Sequence, residues 1–301
     1  LQIYGPVPLV TESDVNKNIG KARSPVSEVL KLIVQDLWHS TALLSKGLVD
    51  ENSFRPSQYA VLLLQARTAM ISGDWQRAVE LATQILDSGH YELDGIPNLF
   101  QLGSRETIWQ WWNGTGIHDK ANLILPVASS TPDYILSPHI DTLFEPNDLR
   151  RHHWTRSFRM GDSLYSYPVK YKNSGRPSGS SKEYRVEMRL AEVYLIRAEA
   201  LLRLRNTNQA ITSINALRLR AGLLPLSASV PIDSAWHYWW LESQREFFTE
   251  GCHRFLNLKR HDLLKEKLAR SKPAWREGGD LLPIPTQEIH LNPALTQNAG
   301  Y

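Results

Sequence analysis

Apolar residues recur at helical spacing in several well-separated stretches of the chain. Ser24-Pro25 offers a capping hydroxyl followed by proline at a first helical position, and Val26, Leu30, Ile33, Leu37 and Leu44 then fall on one face, predicting a helix to about Lys46. A second helix follows Arg55-Pro56-Ser57 and carries Ala60, Leu63, Leu64, Arg67 and Ile71 up to Gly73. The turn Ser72-Gly73-Asp74-Trp75 opens a third, with Ala78, Leu81, Ala82, Ile85 and Leu86, ending near Gly89. These two form a helical hairpin, and the design returns downstream. Arg189 to Leu204 is apolar on one face, Arg205-Asn206-Thr207-Asn208 turns the chain, and Gln209 to Arg220 returns before Ala221-Gly222. Two further helices are predicted over 233–250 and 255–270.

Small alanines fall where the helices of each hairpin would touch, so the pattern predicts tetratricopeptide-like units. Stacked repeats bury their faces against neighbours. Two hairpins are too few to do this alone, and the chain opens on Leu1 in a segment that reads as a helix end entering a loop, so further repeat helices are expected upstream and one apolar helix face is expected bare.

Residues 90–185 break the helical rhythm. They are rich in Pro, Gly, Ser, Trp and Tyr, with strand candidates at 106–110 and 167–171 and a polar, glycine-containing loop at 172–181. Connectivity between helices needs far less chain, so this insertion is the expected place for recognition. The expected organisation is therefore 1–89 as the end of an N-terminal part plus a repeat hairpin, 90–185 as an aromatic-rich recognition region, and 186–301 as a C-terminal repeat region with an extended strap. All three belong to one continuous, mainly α unit with a few short β-strands.

Composition narrows the function. The net charge of +3 carries no long basic run, which argues against a nucleic-acid partner, and the single cysteine, Cys252, cannot form an internal disulfide. No stretch approaches the roughly 20 apolar residues of a membrane-spanning helix.

Catalytic signatures are missing. Gly161-Asp162-Ser163 is not a nucleophile elbow, and Cys252 and His253 are sequence neighbours whose side chains diverge on a helix. The histidines show no metal-binding spacing, and Asn113-Gly114-Thr115-Gly116 lacks the strand-turn-helix setting of a phosphate loop. Glu242, Arg245 and Glu246 read as surface charge pairing along a helix. No catalytic residue, metal or cofactor is expected.

The positive signal is aromatic. Ten tryptophans occur in the chain, and Trp109, Trp111, Trp112, Trp154, Tyr134, Tyr165 and Tyr167 crowd into the insertion, whereas Trp236, Trp239 and Trp240 recur at helical spacing as packing residues. Flat aromatic faces stack against the C–H faces of sugar rings, and polar side chains at the rim bond the hydroxyls. The site candidates are Trp112 and Trp154, with Asn113, His118, Tyr134 and Tyr165.

Four segments carry a family likeness. Arg189-Leu190-Ala191-Glu192-Val193-Tyr194-Leu195-Ile196-Arg197-Ala198-Glu199-Ala200 and Ile214-Asn215-Ala216-Leu217-Arg218-Leu219-Arg220-Ala221-Gly222-Leu223 are two of them. Phe247-Phe248-Thr249-Glu250 with His253-Arg254-Phe255 and Asn257-Leu258-Lys259-Arg260 is the third, and the ending from Leu282-Pro283-Ile284-Pro285 to Gln297-Asn298 and Gly300-Tyr301 is the fourth. Together they resemble the SusD/RagB family of outer-membrane nutrient-binding lipoproteins. Asn257 stands where the family usually has Asp, and the family's N-terminal portion, with its lipid-bearing cysteine, is absent.

The resemblance implies a non-catalytic cell-surface protein that captures an oligosaccharide for import through a SusC-like TonB-dependent transporter, held at the outer membrane by a lipid anchor outside this sequence. A peptide ligand, a protein-interaction scaffold and a surface glycosidase are the alternatives. The family's shared motifs are scaffold, and its ligand contacts vary between members, so the likeness itself places no site. On the helix from 190, Arg189, Glu192, Arg197 and Glu199 are spaced for mutual pairing and for bridges to Arg218 and Arg220. The tail after Lys272-Pro273 is proline-punctuated, so Leu282 to Tyr301 is expected to lie extended over the helices as a strap.

Overall fold

The computed structural model describes residues 1–44, 50–118, 121, 125, 131–173 and 182–301. Among these it forms helices α1 (Val15–Asn18), α2 (Val26–Leu43), α3 (Gln58–Ser72), α4 (Trp75–Asp87), α5 (Pro138–Leu143), α6 (Leu149–Trp154), α7 (Leu190–Arg203), α8 (Thr207–Arg220), α9 (Ile232–Phe247), α10 (His253–Arg260), α11 (Leu264–Ala269) and α12 (Thr286–Leu291). The strands are β1 (Thr107–Trp111), β2 (Thr155–Met160), β3 (Ser163–Pro168) and β4 (Arg185–Arg189). The mainly α architecture expected from the pattern is what forms. No helix among the described residues is long and apolar enough to cross a membrane.

The chain divides into two compact units, Ser40–Gly251 and Leu1–His39 with Cys252–Tyr301. In the first, α3 and α4 pair as a hairpin, α7 and α8 as another, α4 packs on α7, and α9 lies against α7 and α8. Local sequence fixes the hairpin ends. Gly73 closes α3 in the left-handed conformation at φ 74°, and the Asp74 side chain caps α4 by accepting from the Arg77 N–H. Asn206 does the same for α8, accepting from the Gln209 N–H. Ala66, Ala78, Ala82, Ala191, Ala198 and Ala210 are wholly buried, which lets the helices approach closely. Leu63, Leu81, Ile85, Leu190 and Leu202 fill the remaining space, each contributing about 1.5–3 kcal/mol by burial.

The stretches that the pattern separates at 89 and 185 share one core. Leu63 and Leu81 from the first, Ile108 from the second and Val193 from the third lie in the same buried cluster. The insertion is more regular than its composition suggests. It holds α5, α6, the β2–β3 hairpin and β1, which pairs antiparallel with β4 through an irregular register. The strand expected at 167–171 lies earlier, over Ser163–Pro168, and its partner β2 was not foreseen. The loop expected at 172–181 falls outside the described residues from 174 onward.

The second unit joins the chain's two ends. Arg23 donates through Nε to the Pro6 carbonyl (2.7 Å) and through Nη1 to the Thr296 carbonyl (2.8 Å). Its Nη2 donates to the Tyr4 carbonyl (2.7 Å) and to Asn298 Oδ1 (2.6 Å). Asn298 Nδ2 in turn donates to the carbonyls of Tyr4 and Leu282. The tail is not extended throughout, because α12 interrupts it. Gly278 and Gly300 pack backbone to backbone at positive φ, where an added Cβ would lie 2.3 Å from the Ala299 oxygen and 2.5 Å from the Glu277 oxygen respectively. The helix expected over 255–270 is two short ones, parted at Asp262, which takes the left-handed conformation at φ 56°. In α2, Val29 alone is buried, and Val34, Trp38 and Leu43 are exposed.

Candidate binding surface

The motif residues converge inside the larger unit. Arg189, at the junction of β4 and α7, donates to Glu106 (2.9 Å), Glu246 (2.6 Å) and Glu250 (2.8 Å). Arg220, at the end of α8, reaches Glu106 (2.8 Å) and Glu246 (2.5 Å). Arg150 of α6 bonds Asp148 in a fork and also meets Glu242 and Glu246. Arg218 and Arg245 share Glu145 and Glu242, and Lys170 meets Glu250 at 2.5 Å.

Five arginines and one lysine thus face six carboxylates, Glu106, Glu145, Asp148, Glu242, Glu246 and Glu250, so the cluster is neutral as a whole. That neutrality is what allows it to be buried, since an uncompensated ion in this setting costs several kcal/mol. Burial alone would raise Glu246, but Arg220, Arg189 and Arg150 outweigh it and hold the carboxyl far below its ordinary range. Burial likewise opposes Glu250, which Arg189 and Lys170 bring down. The Arg218 hydrogen bond, despite some desolvation, leads in lowering Glu145 to about 2, with the charges of Arg218 and Arg245 adding to it. Burial pushes Lys170 down to about 8, and its ammonium sits against the Phe248 ring (4.1 Å) and the Trp154 ring (4.5 Å).

This corrects two expectations from spacing. Arg189 and Glu192 do not pair along their helix: Glu192 takes Arg67 of α3 in a two-point contact at 2.6 Å, and Arg197 bonds Thr83 and Ser213. Glu242, Arg245 and Glu246 are buried, because the insertion covers the face of α9 that carries them. Buried between the elements it joins, the network works as scaffold, and Glu145 and Asp148 also line an open cleft.

The aromatic candidates separate sharply. Trp154 is fully buried, its Nε1 donating to the Ile96 carbonyl at 3.1 Å within a cluster containing Phe100, Leu136 and Phe248. It is a core residue and not a stacking platform: α6 ends at it, so its ring turns inward to cover Lys170. His118 is also buried, stacked on Tyr171 at 3.7 Å. Asn113 is exposed, but its side chain organises its own loop, donating to the Ile117 carbonyl (2.6 Å) and accepting from Thr115 and Gly116. This is an Asx-type turn.

Trp112 and Tyr134 do face solvent, at 66 % and 57 % exposure. Trp111, at 50 %, joins Trp112 at the outer end of β1. Its ring leans on Trp109 at 4.7 Å, and the Trp109 Nε1 is anchored on the Phe54 carbonyl, so the Trp111 indole stands on a fixed base. The base is half-buried and the tip is open.

Tyr165 lies in a second aromatic surface. Alternation on the β2–β3 hairpin puts Arg156, Phe158 and Met160 on one face with Tyr165 and Tyr167, because Arg156 pairs with Tyr167 and Phe158 with Tyr165. Phe158 stacks on Tyr165 at 5.6 Å and meets Tyr167 edge-on at 6.1 Å, all three half-buried. The opposite face carries Thr155 and Ser166, which are buried. A main-chain bond from the Leu136 N–H to the Ser166 carbonyl (2.7 Å) brings the Tyr134 segment alongside β3. Arg156 and Phe158 were missed from sequence; their signal is the period-two alternation over 155–160, short and overshadowed by the neighbouring tyrosines.

Comparison with known proteins agrees with the fold. A model of the SusD family matches residues 153–301, and one described as starch-binding, associating with outer membrane, matches residues 1–70. A SusD-like protein of Formosa agariphila is 23 % identical across the whole chain and 70 % of its own length. Among solved structures, a SusD superfamily protein of Parabacteroides distasonis superposes over the whole chain and 75 % of its own, with TM-score 0.80 and 20 % identity. Surface glycan-binding protein A of Bacteroides uniformis superposes over 99 % of the chain and 74 % of its own, with TM-score 0.75 and 21 % identity. On the two SusD-type family models, which match residues 1–70 and 153–301, the chain belongs to the SusD family.

Proposed function

We propose that this protein is a non-catalytic surface binding protein that captures an oligosaccharide at the outer membrane for import through a SusC-like TonB-dependent transporter. The observation that carries the reading is the pair of exposed indoles, Trp111 and Trp112, at the end of a strand whose inner part is locked in the core. Exposed indoles are unfavourable in water and offer flat faces on which a sugar ring can stack. The half-buried Phe158, Tyr165 and Tyr167 offer a second flat surface, and Tyr134 is placed on a segment beside it. The family's description as starch-binding, and the glycan-binding name of the Bacteroides uniformis relative, support a saccharide as the ligand.

Open aromatic surfaces favour modest affinity and ready release, which handing a ligand to a transporter requires. The test is binding of the intact protein to a panel of soluble polysaccharides, followed by analysis for new reducing ends. Saturable binding with unchanged ligand is expected. Cleaved ligand would establish a glycosidase instead, and absence of binding to every saccharide would end the capture reading.

A further inference from the structure

Beside the hairpin lies an open cleft of about 750 Å³, lined among others by Glu145, Asn147, Arg151, His152, Arg156 and Ser157. Its acidic members are already committed. Glu145 is held by Arg218 and Arg245, and Asp148 is buried against Arg150. Arg156 is not balanced in the same way. Arg156 donates through Nη1 to the main-chain oxygens of His152 (2.7 Å) and Thr155 (2.9 Å), which fix the guanidinium without neutralising it. Among the described residues no carboxylate pairs with Arg156, and its Nε and Nη2 make no other bond.

More positive charge gathers around it. The His152 and His153 rings lie 4.8 Å apart, and after desolvation the charges of His152, Lys172 and Arg156 together depress the His153 pKa. Glu183, whose charge acts on Lys172, accepts the main-chain N–H groups of Lys172 and Asn173. Arg156 also belongs to the aromatic face of the hairpin, directly across from Tyr167. One residue therefore links a ring-stacking surface to a cleft with unneutralised positive charge.

We propose that this cleft and hairpin face together recognise an acidic saccharide, whose ring rests on Phe158, Tyr165 and Tyr167 and whose carboxylate or sulfate group is held by Arg156. The two N–H groups left on one edge of the guanidinium match the two-oxygen spacing of such an anion. His152 adds a donor at the rim. The inference rests on the capture reading and narrows it to a substrate class.

The experiment measures affinity of the intact protein for polygalacturonate (carboxylate only), λ-carrageenan (sulfate only), and amylopectin and xyloglucan (both neutral), repeated for Arg156→Ala, Arg156→Lys and a control, Arg77→Gln at an exposed position of α4. At least one anionic polymer should bind about tenfold tighter than either neutral one, and Arg156→Ala should lose about tenfold of that affinity with an unchanged melting temperature. Arg156→Lys should fall between, and Arg77→Gln should match the parent. The polymer that binds identifies carboxylate or sulfate as the group recognised. Equal or tighter binding of a neutral polymer, indifference to Arg156→Ala, or equal loss in Arg77→Gln would overturn the acidic-ligand inference and leave capture standing. Failure to bind all four polymers would overturn it, and the wider saccharide panel would then decide the capture reading separately.

Discussion

Arg150 and Arg156 are six residues apart and belong to opposite worlds. Arg150 is wholly buried and spends its guanidinium on Asp148, Glu242 and Glu246, whereas Arg156 is exposed and, among the described residues, bonds only carbonyl oxygens. Trp154 and Trp112 repeat the contrast: one is sealed under Lys170, the other open to solvent. Residue type therefore says little about role in this insertion. What decides is whether the element carrying the side chain packs against α9 or projects from it. Charges facing α9 balance within the buried cluster, whereas Arg156 on the hairpin is held by main-chain oxygens and pairs with no carboxylate among the described residues.

The comparison breaks most visibly under substitution of the buried side. Arg189→Ala would remove the cation shared by Glu106, Glu246 and Glu250 and leave the buried cluster with one uncompensated negative charge, a loss of about 3–5 kcal/mol of stability, measured by urea denaturation. Trp154→Ala should cost about 3–5 kcal/mol in the same measurement, through the cavity it opens beside Phe100 and Phe248. Neither result would speak to ligand contact.

On the exposed side, Trp112→Ala should weaken saccharide binding by about 1–3 kcal/mol while leaving the urea midpoint in place. A shifted midpoint with unchanged binding would move Trp112 into the structural class. Acid gives the smallest and most graded effect. Glu145 titrates at about 2 when folded against 4.5 ordinarily, and Glu246 and Glu250 are also held low. Their contribution is present above pH 4.5 and is lost as pH falls through 4.5 toward 2, so the melting temperature should decline over that window. A flat profile between pH 5 and 2.5 would show that the network is not ionised as drawn.

The helical frame was legible because period and capping agree. Gly73, Asp74 and Asn206 mark the ends of α3, α4 and α8 where the structure has them. The ionic network was legible only in part, since spacing along a helix proposes partners on that helix, and Arg189 and Glu192 find theirs across the fold. Of the site candidates, Trp112 and Tyr134 are open, Tyr165 lies on a half-buried aromatic face, and Trp154 and His118 are buried. Nothing in local composition distinguishes an indole at the end of a six-residue helix turned inward from one at the outer end of a strand. That difference arises from packing between segments distant in sequence.

Tryptophan fluorescence during titration with a saccharide that the protein retains is the most direct test. If Trp111 and Trp112 receive the ligand, emission should shift as sites fill, the shift in Trp112→Ala should be smaller and need more saccharide, and the recovered saccharide should be intact. A spectral change that Trp112→Ala leaves undiminished, or a shortened saccharide after binding, would contradict this.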